Sequence, residues 1–206
     1  MITSAPSLEG QKRYLALGDS YTIGESVEEN ERWPNQLAAL LSARGVSIGK
    51  PTIIATTGWR TDNLANAVKI AGLRNDYDLV SLLIGVNNQY QGKPFDLYTA
   101  DFERLLVQSI WLARGQKKNV FVVSIPDYGY TPFGNKNMEK ISREIDQYNA
   151  AAKSSCTENQ IRFVDITNIS RDALNDPGLV AADGLHPSGK MYTLWAKQIL
   201  KEINWV

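Results

Sequence analysis

Short β-branched or apolar runs alternate with longer segments of helical spacing from Arg13 onward, and this alternation predicts an α/β fold built on a parallel sheet. Asp78–Ile84 is apolar at nearly every position, as expected of a strand covered on both faces. No linker, low-complexity tract or internal repeat divides the 206 residues. We expect residues 13–206 to form one domain behind a polar N-terminal tail, residues 1–12.

Arg13–Leu17 reads as the first strand and runs into Gly18-Asp19-Ser20, read as a turn. Trp33, Leu37, Leu40 and Leu41 then recur at helical spacing, with Pro34 near the helix start and Gly45 past its end. Thr52–Thr56 is a short β-branched strand. The turn Thr57–Thr61 leads to a helix marked by Leu64, Ala67, Val68 and Ala71. The central strand Asp78–Ile84 meets Gly85-Val86-Asn87-Asn88, and Phe102, Leu105, Leu106, Ser109, Ile110 and Leu112 carry the third helix. Val120–Ile125 is the fourth strand, followed by a loop rich in aromatics and glycine, Tyr128–Asn135. Met138–Ala152 predicts a fourth helix and Ile161–Ile166 a fifth strand. A polar connection, Thr167–Ala182, leads to Asp183, and Ser188 caps a last helix through Tyr192, Trp195, Ile199 and Leu200.

Acidic and basic residues balance at 22 each, so no basic stripe argues for a nucleic-acid partner. A single cysteine, Cys156, excludes an internal disulfide framework, and with one histidine neither a cysteine cluster nor a His-rich zinc site is expected. We expect no metal and no cofactor. No apolar run is long enough to span a bilayer, and Met1–Lys12 lacks the charged and apolar pattern of a secretory signal. A cytoplasmic protein is expected as written, and a periplasmic or secreted one if an export signal has been trimmed. Composition leaves the oligomeric state open between monomer and dimer.

Ser20 stands where open α/β sheets place ligands, at the carboxyl end of a strand and before helical sequence. Its hydroxyl and N–H can face one crevice, which supplies a nucleophile and part of an oxyanion site. Gly18-Asp19-Ser20 alone is equally a plain turn with a helix cap. The only histidine, His186, lies three residues after Asp183, a spacing that lets the carboxylate fold back onto Nδ1 and leaves Nε2 free to take a proton from Ser20. Gly58 and Asn87 follow the second and third strands. With the Ser20 N–H, the Gly58 N–H and the Asn87 side-chain amide make three donors for the oxygen that becomes negative during acyl transfer. We expect glycine at 58 because a backbone N–H must approach closely with no Cβ in the way. Trp59, Tyr90, Tyr128, Tyr130 and Phe133 fall in segments at the same sheet edge and are candidates to line an acyl or sugar pocket.

Gly18-Asp19-Ser20-Tyr21, Gly58, Gly85-Val86-Asn87-Asn88 and Asp183-Gly184-Leu185-His186-Pro187 together resemble, in order and spacing, the four blocks of the SGNH hydrolases, also called GDSL-type esterases and lipases. The resemblance implies a three-layer α/β/α, flavodoxin-like fold with a five-stranded parallel sheet. It also implies metal-free hydrolysis of carboxylic esters through an acyl-serine. Ser20, Asp183 and His186 correspond to the family's triad, and Ser20, Gly58 and Asn87 to its oxyanion hole. Tyr21 replaces the leucine of the name-giving motif, and Asn88 stands where the family has aspartate, so a supporting charge is absent.

The resulting expectation is a serine esterase for small-molecule esters of short to medium acyl chain, acetylated sugars included. No segment is left over to serve as an interfacial lid. An acyltransferase or carbohydrate deacetylase using the same site, a lysophospholipase or thioesterase, and a non-catalytic binding module on an inherited fold are the alternatives.

Overall fold

Tyr14-Leu15-Ala16-Leu17 offers water no charged group, and in the computed structural model, which describes residues 10–203 and 205, it forms a strand buried at every position, β1 (Tyr14–Gly18). Beside it lie β2 (Thr52–Ala55) and β3 (Leu79–Leu83), followed outward from β3 by β4 (Val120–Val123) and β5 (Arg162–Val164). The sheet order is β2-β1-β3-β4-β5 and every pairing is parallel, with Leu17 level with Ile54 on one side and Leu82 on the other. The central strands β1, β3 and β4 are wholly buried, whereas the edge strands β2 and β5 are only partly so. That gradient is what a sheet with helices on both faces requires.

The helices are α1 (Ser20–Ile23), α2 (Trp33–Ala43), α3 (Thr61–Ala71), α4 (Val86–Tyr90), α5 (Phe95–Leu112), α6 (Met138–Asn159), α7 (Thr167–Arg171) and α8 (Gly189–Glu202). One outer layer is α2 packed on α8, and the other is α3, α5 and α6 in succession. No helix among the described residues is long and apolar enough to cross a membrane.

The alternation of elements is as expected, with four corrections. The turn after β1 and the segment after β3 each wind into a short helix, α1 and α4, so Asn87 and Tyr90 are helical. The polar connection contains α7. Each of these has five residues or fewer, too short for helical periodicity to show. α6 also runs on to Asn159, past the expected end at Ala152, and buries Cys156, whose thiol burial pushes up to about 12. Of the expected tail, residues 1–9 lie outside the described residues. Lys12, at its end, is bonded to the backbone of Ser47 and Gly49.

Trp33, Leu37 and Leu41 of α2 and Tyr192, Trp195 and Ile199 of α8 are fully buried, so this layer is a continuous apolar seam. Trp195 stacks edge-on against Tyr192 (5.1 Å) and Tyr21 (6.3 Å), joining the seam to α1. Trp195→Ala should therefore lower the unfolding free energy by about 3–5 kcal/mol, read from the denaturant midpoint. A loss under about 1 kcal/mol would mean that α2 and α8 close over the void.

Candidate active site

The strand order winds outward in opposite directions from β1, to β2 on one side and to β3 on the other, so the carboxyl ends of β1 and β3 open a crevice at the topological switch point of the sheet. Ser20, Gly58 and Asn87 leave three adjacent strands there, and they line one cleft of about 300 Å³ together with His186 and Leu185.

Gly18 makes the turn out of β1 possible. A Cβ at this position would lie 2.5 Å from the carbonyl oxygen of Leu83 and closer still to Thr22, so any larger residue would push β1 off the end of β3. Asp19 then caps α1 by accepting the Tyr21 N–H at 3.1 Å. Its carboxyl is fully buried, and burial lifts it to about 7 against the lowering pull of the Tyr21 and Asp19 N–H groups. Ser20 opens α1 and is buried, so its N–H has no intrahelical acceptor and is available to a ligand.

Gly58 occupies its position for a different reason from the one expected. Its φ is +81°, and a Cβ built on it meets no protein atom within 4 Å, so the left-handed backbone selects glycine, with no crowding from the protein around it. The loop bearing Gly58 is tied to α4 by several bonds. Asn87 Nδ2 donates to the Trp59 carbonyl (3.0 Å), and Gln91 Nε2 donates to the Gly58 carbonyl (3.1 Å). Asn88 Oδ1 accepts the Thr61 N–H (3.0 Å), while its Nδ2 donates to Thr61 Oγ1 (2.9 Å). An amide can spend its two hydrogens on two acceptors, so Asn87 keeps one for the cleft. Asn88 is buried against Thr61 and is absent from the cleft wall, where a neutral amide supports the loop without a charge.

His186 is buried and Asp183 partly exposed. Asp183 Oδ2 lies 2.7 Å from His186 Nδ1, and its Oδ1 accepts the N–H groups of Leu185 and His186, both at 2.9 Å. Partial burial alone would raise the Asp183 carboxyl. The Ser26 hydroxyl, the two N–H groups and the His186 ring together hold it well below the usual carboxylate range. The ionised Asp183 can therefore orient the Nδ1–H tautomer, leaving Nε2 as the free ring nitrogen. The Tyr21 ring meets His186 edge-on at 5.8 Å.

Of the five aromatic candidates, Tyr90, Tyr128 and Phe133 line the cleft, with ring centroids 6.1–6.4 Å apart. Trp59 and Tyr130 do not. Trp59 packs partly buried against the core and contributes its carbonyl, and Tyr130 lies under the Arg171 guanidinium. The aromatic loop is fixed by the buried Asp127 carboxylate, which accepts from Gly129 N, Ser142 Oγ and Arg171 Nε. Sequence reading missed Ser26, Gln91 and Gln89, whose roles depend on long-range contacts with no local pattern.

No match was found among curated protein sequences. Solved structures similar to this chain include a member of the lipolytic protein G-D-S-L family from Veillonella parvula (19% identity, TM-score 0.68, covering 92% of this chain and 97% of that one). An acetylxylan esterase from Geobacillus stearothermophilus is 24% identical, with a TM-score of 0.71 over 95% of this chain and 96% of its own. A psychrotrophic esterase from Pseudoalteromonas sp. is 16% identical, with a TM-score of 0.68 over 94% and 97%. At these identities the likeness establishes the fold, here the SGNH hydrolase fold. The profile of the GDSL-like Lipase/Acylhydrolase family matches residues 16–194, a span that contains every block described above. The chain belongs to that family and is a carboxylic-ester hydrolase.

Proposed function

We propose that the protein hydrolyses esters of short acyl chains through an acyl-Ser20 intermediate, with His186 as general base and acid and Asp183 as its orienting partner. The observation that carries this reading is the 2.7 Å Asp183–His186 contact at the wall of the cleft that holds Ser20, Gly58 and Asn87. Ser20 Oγ attacks the acyl carbonyl as His186 Nε2 takes its proton. The oxyanion is received by the N–H groups of Ser20 and Gly58 and by the free Asn87 amide hydrogen. The intermediate collapses, His186 protonates the departing alkoxide, and the acyl group remains on Ser20. Water, deprotonated by the same nitrogen, then attacks the acyl-serine and releases the acid.

The dimensions of the site favour a small acyl group. A cleft of about 300 Å³ walled by Tyr90, Tyr128 and Phe133 lies at the lower end of the range of small-molecule sites. Across the same three rings lies a larger groove of about 640 Å³, lined by polar groups that include Gln89, Asn137, Lys140, Glu144 and Gln147. Amides and charges suit a hydroxylated alcohol portion better than an acyl tail. Tyr90 and Phe133, 58% and 52% exposed, offer faces on which a sugar ring can stack. An acetylated sugar is therefore our second reading of the substrate, and the acetylxylan esterase activity of one structural neighbour is consistent with it.

Ser20→Ala should fold normally and lose ester hydrolysis by a factor on the order of 10⁴ or more. Retention of a tenth of wild-type kcat would refute the nucleophile. In the wild type, kcat/KM should rise with pH along one acid limb, because only neutral imidazole accepts the proton and Asp183 stays ionised. His186→Ala should abolish that limb with the activity. A profile flat from about pH 5 to 8 with chemistry rate-limiting would count against the mechanism.

Asn87→Ala should lower kcat roughly 10²–10³-fold with little change in KM. Asn88→Asp keeps the acceptor for the Thr61 N–H, and the Thr61 hydroxyl can reverse to donate to the new carboxylate. We expect a change in kcat of less than about tenfold, or ~1.4 kcal/mol of barrier. Equal, large losses at both positions would show that the wrong asparagine has been assigned to the oxyanion.

On an ester panel, kcat/KM should be highest between acetyl and roughly hexanoyl chains and should fall for longer ones, with no activation at a lipid interface. A long-chain ester, below its micelle concentration, turned over at least about tenfold faster than the acetyl ester would overturn this assignment and point to a lysophospholipase-like or thioester substrate.

A further inference from the structure

Ser26 lies two residues beyond Gly24, the left-handed residue that already ends α1, and its own backbone is left-handed at φ +65°. Non-glycine residues are uncommon there because Cβ crowds the following carbonyl. The other two described non-glycine residues at positive φ, Arg114 and Gln160, finish the long helices α5 and α6, where this conformation is an ordinary way to stop. Ser26 terminates no helix. It is the third residue of the turn closed by Val27 N donating to the Gly24 carbonyl (3.4 Å), a left-handed position that turns usually give to glycine or asparagine, so a serine there is a reason to ask what its side chain does.

That contact is with Asp183. Ser26 Oγ donates to Asp183 Oδ2 at 2.5 Å, the same oxygen that faces His186 Nδ1. The remaining hydrogen bonds to this carboxylate come from Leu185 and His186, within its own loop, so among the described residues Ser26 is its single partner from elsewhere. The segment carrying Ser26 is in turn anchored to the nucleophile, since Gly24 N and Glu25 N both donate to the Ser20 carbonyl (3.0 and 3.1 Å).

We propose that Ser26 is a positioning residue of the hydrolytic site, whose hydroxyl ties the Asp183 carboxylate to the nucleophile segment and so sets where His186 stands relative to Ser20. The inference rests on the triad reading above. The hydroxyl also shares the negative charge of Oδ2, so it weakens the hold of Asp183 on the imidazolium. Removing it leaves His186 facing a more basic carboxylate, and the ring then retains its proton to higher pH. The other titratable groups around the pair are Asp19 and Tyr21 at the start of α1, Glu25 beside Ser26, Asp127 and Tyr128 after β4, and Tyr192 on α8. None of them is hydrogen-bonded to His186, so Asp183 is the route by which Ser26 acts.

His186 is the only histidine, so proton NMR of its ring titrates one group in the intact protein without reference to activity. Ser26→Ala and Ser26→Gly both delete the hydroxyl, and glycine does so while accepting the left-handed backbone, so it guards against a folding defect in the alanine variant. Both variants should move the titration midpoint of the His186 ring upward by about half a pH unit. The acid limb of kcat/KM should move with it, and kcat should fall roughly 3- to 30-fold with KM within about twofold of wild type. A midpoint within about 0.1 unit of wild type in both variants overturns the proposal. A fall in kcat without that movement overturns it too, because it would mark a merely structural role for the loop. Failure of the triad reading would appear separately, as activity surviving Ser20→Ala.

Discussion

The site depends on the burial of β1 between β2 and β3. A strand without charged side chains, covered on both faces, has to pair on both edges to satisfy its backbone. Parallel pairing then brings all three chains out on the same edge. Because the sheet winds outward in opposite directions from β1, the connections after β1 and β3 diverge and leave a crevice between them. Ser20, Gly58 and Asn87 are therefore neighbours through strand order, although they are tens of residues apart in the chain.

Around that crevice the loops close a ring of polar contacts. Ser26 joins the segment after Ser20 to the Asp183–His186 loop, and Glu25 joins it to Thr57 in the loop after β2. That loop is held to α4 through Asn87, Asn88 and Gln91, and α4 is held to the loop after β4 through Gln89 and Tyr128. Phe133 N, donating to the Gly184 carbonyl at 3.0 Å, completes the circuit back to the Asp183–His186 loop. Each contact is modest and several are open to water. Together they fix five separate segments in one arrangement, the kind of preorganisation that electrostatic catalysis requires. Beneath the ring, Trp195, Tyr21 and His186 stack edge to face, so the seam between α2 and α8 supports the imidazole from below.

Much of this was legible in the chain itself. Hydrophobic runs of strand length and helices of ordinary length report burial locally, so the five strands and the long helices could be read from spacing. Gly-Asp-Ser, the sole histidine and its aspartate three residues earlier stand out as candidates by residue type, because few side chains can do nucleophilic and basic chemistry at neutral pH. The departure at Asn88 was also visible, but what it does was not. Only its contacts with Thr61 show a neutral amide bracing the loop.

What the tertiary structure alone decided were matters of order, direction and conformation. Sheet order comes from the crossovers, and nothing in the composition of β2 says that it belongs beside β1. Trp59 and Tyr130 look as suitable for a pocket as Tyr90 and Phe133, yet they point elsewhere, because side-chain direction depends on helical phase and turn geometry that a short segment does not reveal. Ser26 carries no signal at all in the sequence. Its reach to Asp183 arises only when two segments more than 150 residues apart are packed together, since such a contact belongs to the fold and to neither segment.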